Sequence, residues 1–217
     1  SVPTLTCAIM DEYQKEFTAI KSVDFALSTA QFSGEGLATT RAILTYVGKT
    51  FLMLKQGKPN QVYGWQSIRL RKFWKLNYRI LGNCNISDFD ILPTRYPELE
   101  SVRFQAGVES KIQHIGLYLM SFLVRFKLIK SLLPAANTLF NVSSIFMPFS
   151  SGKSGYFLTL LGTDLKGRNK QIDFDLIACQ QQGQYIPCIP SILITKKLAT
   201  GEISNTGVTA CDGMISL

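Results

Sequence analysis

Val102-Arg103-Phe104-Gln105-Ala106-Gly107-Val108 alternates apolar and polar side chains, and from Lys111 onward the apolar residues take up helical spacing instead. A period of two puts alternate side chains on opposite faces of a sheet, while a period near 3.6 lines them up as a stripe. The first run therefore predicts a half-buried strand. The second predicts a long helical region from about Lys111 to Lys130, with Pro134 opening another to about Ile145. One strand running straight into a long helix is what a parallel βαβ protein repeats in strict rhythm. The rest of the chain does not keep that rhythm.

Upstream, Leu5, Ala8, Ile9, Tyr13 and Phe17 recur at helical spacing, so Pro3 to Phe17 reads as a helix with its proline in the first turn. Val23 to Ser28 has strand period, Gly34-Glu35-Gly36 punctuates, and Leu37 to Val47 reads as a helix ended by Gly48. Short strands follow at Phe51 to Lys55, Val62 to Trp65, Ile68 to Phe73 and Leu76 to Leu81, with turn chemistry over Gln56-Gly57-Lys58-Pro59-Asn60. Asp88 to Leu92 predicts a short helix, with Pro93 and Pro97 breaking the chain around Arg95-Tyr96. Downstream, Tyr156 to Leu161 and Gln171 to Cys179 predict a hairpin, and Pro190 to Ala199 a last helix stopped by Gly201. The expectation is one α+β domain over residues 1–217. It has a largely antiparallel or mixed sheet, helices packed on one face, and a long apolar helical excursion.

Hydrophobic residues make up 46% and charged ones 18%, which suits a packed core and excludes a disordered chain. The net charge of +8 is unevenly spread. No acid lies between Glu35 and Asp88, where nine lysines and arginines fall, and none lies from Lys111 to Thr163. Such one-signed segments attract phosphate, anionic lipid or an acidic substrate, or simply form a solvated basic face. The five cysteines carry no C-x-x-C pair, so reduced thiols in a cytoplasmic setting are expected. With His114 the sole histidine, no metal site is expected either. The chain opens at Ser1, not methionine, which suggests a processed or engineered start with something missing upstream.

The helical region from Ile112 to Leu133 is apolar around most of its girth, with Lys111, His114, Tyr118, Ser121 and Arg125 forming one polar stripe. Arg125, Lys127 and Lys130 interrupt the run, so a membrane span is not expected. A domain-core or dimer-interface helix is the leading reading, its stripe facing solvent or a cleft. A basic amphipathic helix on anionic lipid is the alternative. Ser151-Gly152-Lys153-Ser154 ends like a phosphate-binding loop, but Met147 stands where that motif needs glycine, so the segment reads as a turn. Phe73, Trp74 and Tyr78 interleave with Arg71, Lys72, Lys75 and Arg79, as in a single-strand nucleic-acid binder, but no RNA-binding or zinc-finger pattern accompanies them. Nucleic acid is therefore not the expected partner. Arg41, Arg95 and Arg103 are candidates to clamp a carboxylate by paired hydrogen bonds, and Tyr96 and His114 are weaker cleft candidates. No catalytic constellation stands out.

Several stretches then fall into one order. Ser1-Val2-Pro3 enters a helix, and Gly36-Leu37-Ala38-Thr39-Thr40-Arg41-Ala42-Ile43-Leu44 precedes Tyr46-Val47-Gly48. Tyr63-Gly64-Trp65, Arg95-Tyr96-Pro97, Val102 to Gly107 and Tyr185-Ile186-Pro187-Cys188-Ile189-Pro190 follow. Together they resemble the C-terminal portion of bacterial saccharopine dehydrogenase-like proteins. The resemblance implies a parent oxidoreductase with an N-terminal Rossmann domain for NAD or NADP. This C-terminal domain would close the substrate cleft and form a homodimer contact. The chain departs from the parent in lacking a G-x-G-x-x-G after a strand, so no cofactor-binding residue is assigned to it and it is not expected to catalyse alone. Arg41, Arg95 and Arg103 would then meet an anionic substrate. The competing reading is a non-catalytic adaptor at a membrane surface or a protein interface.

Overall fold

A computed structural model of the chain describes residues 2–31, 36–204, 207 and 210–217. Val2–Tyr13 forms α1, Phe17–Thr29 β1 and Leu37–Tyr46 α2. Thr50–Lys55 (β2) and Lys58–Tyr63 (β3) pair as a separate hairpin. Arg69–Lys72 (β4), Tyr78–Asn83 (β5), Asp88–Arg95 (α3) and Ser101–Val108 (β6) come next. They lead into Lys111–Arg125 (α4) and Ala136–Ser144 (α5). Ser154–Asp164 (β7), Asn169–Ala178 (β8) and Cys188–Ala199 (α6) complete the elements. Six strands form one sheet in the order β4-β5-β6-β1-β7-β8. Its pairs are antiparallel except β1 with β6, so the expected α+β architecture with a mixed sheet is what forms.

Alternation in the central strands decides which face is covered. Val23 and Phe25 of β1, Val102 and Phe104 of β6, and Leu158 and Leu160 of β7 point to one side. There they meet Cys7, Ile9 and Met10 of α1 and Leu92 of α3. The Phe25 and Phe104 rings sit 5.0 Å apart, tilted, which adds aromatic contact to plain burial. A second cluster collects Leu44 and Val47 around Trp65, with Val124, Leu132 and Ala136 packed against them. Gly48 closes α2 at φ +70 and lies against the Ser121 carbonyl and Val124. A side chain there would meet both the left-handed backbone and the body of α4.

Several boundaries differ from the sequence expectation. The first helix stops at Tyr13 because Phe17 enters the sheet opposite Asp164, with a three-residue turn between. The β2–β3 turn needs only Gln56 and Gly57, at φ +51 and +73, so Pro59 and Asn60 stand inside an edge strand. Helix α3 continues past Pro93 to Arg95, its proline lying in the last turn. Gly34 and Glu35 lie outside the described residues, so their expected punctuation does not enter this description.

The long helix ends at Arg125 instead of near Lys130. Lys127 adopts φ +59, its amide donates to the Val124 carbonyl, and the Leu128 amide donates to the Leu123 carbonyl. That pair of bonds is the Schellman cap, formed here with lysine where glycine is usual. At 15 residues α4 spans about 22 Å. Among the described residues no helix is long and apolar enough to cross a membrane.

Candidate functional site

Helices α1 and α3 cover one sheet face, and the opposite face carries the other alternation set. Strand register places Asp24 between Arg103 of β6 and Thr159 of β7, and Thr159 opposite Asp173 of β8. Four strands thus build one polar row, within which the Thr159 hydroxyl donates to Asp173 Oδ1 at 2.6 Å. The β4–β5 ribbon joins the sheet through only two paired positions, Gly82 with Ala106 and Asn83 with Gln105. It curls over the row, and the Arg71 guanidinium lies 3.6 Å above the centre of the Phe157 ring.

The same curl brings Arg69 onto Asp24. Its Nη1 and Nη2 donate to Oδ2 and Oδ1 at 2.6 and 2.7 Å, the parallel two-bond geometry available to arginine and not lysine. Arg103 Nη1 stands 4.0 Å from the same carboxylate, and its side chain is 52% exposed. Two guanidiniums around one carboxylate leave a positive charge facing a cavity of about 540 Å³. Ser22, Asp24, Arg69, Arg103 and Gln105 line its sheet side, and Lys55 and Asn60 line it from the β2–β3 hairpin. Gln105 is buried, its Nε2 donating to the Ser67 carbonyl and Asn83 Oδ1 at 2.9 and 3.2 Å, while its Oε1 receives no hydrogen bond from the described residues. With Asp24 already held by Arg69, the arrangement suits anion binding better than proton transfer.

The five residues singled out from the sequence are distributed over the molecule. Arg103 lies in this cavity. Arg95 and Tyr96 lie beyond the sheet's other face, where Arg95 pairs with Asp11 at 2.7 Å and Asp212 at 3.2 Å. The Tyr96 hydroxyl donates to Asp11 Oδ1 at 2.6 Å, and burial together with that carboxylate pushes its pKa upward. Arg41 is exposed on α2. His114 is fully buried on the inner side of α4, 4.7 Å from the Trp65 ring centre, and among the described residues neither ring nitrogen has a hydrogen-bond partner. Burial lowers its pKa to about 4, so the ring is neutral near pH 7. Asp24, Arg69 and Gln105 were not singled out from the sequence. Asp24 and Gln105 carried a usable signal, since both fall on the polar phase of the alternation that also marked Arg103.

A second buried polar cluster holds the end of β6 in place. Glu109 pairs with Arg79 at 3.0 Å and accepts from the Gln31 amide and the Ser150 hydroxyl at 2.9 and 2.7 Å. Burial alone would raise this carboxyl, but hydrogen bonds from Ser151, the Gln31 amide and Ser150 bring it down to about 2. Ser151-Gly152-Lys153, read from the sequence as a turn, is an irregular connection with Gly152 at φ +66, and β7 starts at Ser154. Of the interleaved aromatic and basic run, Phe73 and Arg79 are buried while Trp74 and Tyr78 are exposed.

No family model and no curated protein sequence matches this chain. Among solved structures, it is similar to apo histidine-tagged saccharopine dehydrogenase (L-Glu forming) from Saccharomyces cerevisiae, with a TM-score of 0.58 at 12% identity. The fold is saccharopine dehydrogenase-like. The match covers 96% of this chain and 65% of the yeast protein, so the chain spans a little under two thirds of that relative. Within this saccharopine dehydrogenase-like fold, β1 and β6 are the one parallel pair of strands among the described residues. Between them run α2, two hairpins and α3, not the single glycine-opened helix that receives a dinucleotide pyrophosphate.

Proposed function

We propose that the chain is the substrate-binding and dimerisation part of a saccharopine dehydrogenase-like oxidoreductase, located C-terminal to the domain that binds NAD or NADP, and not catalytic by itself. The observation that carries this reading is the Arg103–Asp24–Thr159 row on the sheet face that α1 and α3 leave uncovered, with Arg69 fixed on Asp24 and Arg103 half exposed at the cavity. In this reading Arg103 takes a substrate carboxylate, and Arg69 and Asp24 hold the floor of the cleft rigid. Gln105, its Nε2 bonded to the Ser67 carbonyl and Asn83 Oδ1, holds the cleft wall beside Arg103. Self-association has the free edge of β8, ten residues long, as its available strand.

Backbone amide shifts measured with L-glutamate and with saccharopine as probes test the cleft. Perturbations are expected at Asp24, Arg69, Arg103 and Gln105, and Arg103→Gln is expected to weaken binding by about tenfold. Shifts confined to the neighbourhood of Arg95 and Asp11 would move the site to the other face of the sheet. Sedimentation equilibrium tests the second half of the proposal, which a monomer at all concentrations would remove.

A further inference from the structure

The middle of the polar stripe on α4 is turned inward, the reverse of an ordinary surface helix. His114 and Ser121 are fully buried, and Arg125 reaches inward to donate to Gln66 Oε1 at 2.6 Å with its guanidinium 4.2 Å over the Tyr63 ring. The apolar stripe faces outward. Ile112 is 71% exposed, Leu119 60%, Phe126 65% and, past the cap, Leu128 71%. Positions 112, 115, 119, 123 and 126 fall within one narrow sector of a helix, so these side chains form a continuous strip about 22 Å long. A face of this kind on a soluble protein marks something that covers it.

Charge identifies the cover. Lys127 and Lys130 alternate with Phe126, Leu128 and Ile129 where the strip ends, all five are exposed, and Lys111 is exposed at its start. None of these lysines is in an ion pair among the described residues, and no acid occurs in the sequence from Lys111 to Thr163. A second copy of the chain seated on this strip would bring like charges together. The strip's lysine rim instead complements a surface that is negative outside and apolar a few ångströms below. We infer that α4 and the Phe126–Lys130 turn dock on an anionic lipid bilayer, with the helix lying in the plane of the interface. Ile112, Leu119, Phe126 and Leu128 enter the acyl boundary while Lys127 and Lys130 stay at the headgroups.

The αL conformation of Lys127 fits this role. It ends the helix so that Leu128 and Ile129 are presented on the outside instead of wrapping round to the buried side. The docking surface is independent of the Arg103 cleft, and the two readings fail separately.

Flotation with vesicles of equimolar phosphatidylglycerol and phosphatidylcholine, against phosphatidylcholine alone, tests the inference. The chain is expected to co-float with the anionic vesicles at low salt, and less so as salt rises. Lys127→Glu with Lys130→Glu is expected to reduce flotation at least about tenfold. Phe126→Ser with Leu128→Ser is expected to do the same at every salt concentration, with the unfolding transition retained because both sites are exposed. Arg103→Gln is expected to leave flotation unchanged. Absence of co-flotation at low salt overturns the inference, as does flotation that survives both double variants. Loss of a solution dimer on Phe126→Ser with Leu128→Ser would assign the strip to a second copy, and that too overturns it.

Discussion

Two buried groups respond to acid in opposite directions, and separating them tests how the interior is organised. His114 has no hydrogen-bond partner among the described residues, and burial lowers its pKa from 6.5 to about 4. The unfolded chain therefore takes up this proton first as pH falls, and stability is lost between those two values. Asp88 is also fully buried, beside Thr6, and burial raises its carboxyl from 3.8 to about 6. Here the folded chain takes up the proton first, so stability is gained as pH falls through that window. Between about pH 7 and about pH 5 linkage gives a loss of about 2 kcal/mol from His114 and a gain of about 1 kcal/mol from Asp88. The unaltered protein should thus change by less than about 1 kcal/mol, a flat profile produced by cancellation. His114→Phe keeps a ring against Trp65 and removes the titration, so its stability should rise by about 1 kcal/mol on the same acidification. Asp88→Asn leaves His114 unopposed and should fall by about 2 kcal/mol. Urea unfolding followed by tryptophan fluorescence, with the slope unchanged between variants, measures all three. A His114→Phe profile that parallels the unaltered protein would refute the account, because His114 would then have the same pKa folded and unfolded.

Glu109→Gln leaves the Arg79 guanidinium, 6% exposed, without its counter-charge, and should cost about 3 kcal/mol by the same urea measurement. Lys127→Gly relieves a left-handed lysine without disturbing the cap bonds, and should raise stability by about 1 kcal/mol, seen as a higher midpoint of thermal unfolding. Gly48→Ala places a methyl group against the Ser121 carbonyl and Val124 at φ +70, and should lower stability by about 2 kcal/mol or more with loss of near-ultraviolet signal from Trp65.

Most elements were legible because their periods are strong. β6 and β8 alternate along most of their length, β1 alternates over Val23 to Ser28, β7 is a bounded apolar run, and α2 has both its spacing and its stop glycine. The errors gather where a residue takes a conformation its type does not announce. Lys127 ends a helix in the position expected of glycine, and Gln56 completes a two-residue turn that the neighbouring proline and asparagine lengthen on sequence alone. The site followed the same division. Arg103 was found as an arginine on an alternating strand, whereas Arg69 belongs to the cleft only because a ribbon with two anchoring pairs bends back over the sheet.

The sequence by itself determined which side chains share a face. Asp24, Arg103 and Gln105 fall on the polar side of their strands, and His114, Tyr118, Ser121 and Arg125 on one stripe of α4. Only the tertiary structure decided which way those faces point. Periodicity fixes the angle between side chains about their own axis, and nothing in that angle says what lies opposite. Trp65 and Gln66, brought in by a left-handed turn at Trp65, fill the space beneath α4 and hold His114 and Ser121 inward. The apolar stripe of α4 is left facing out.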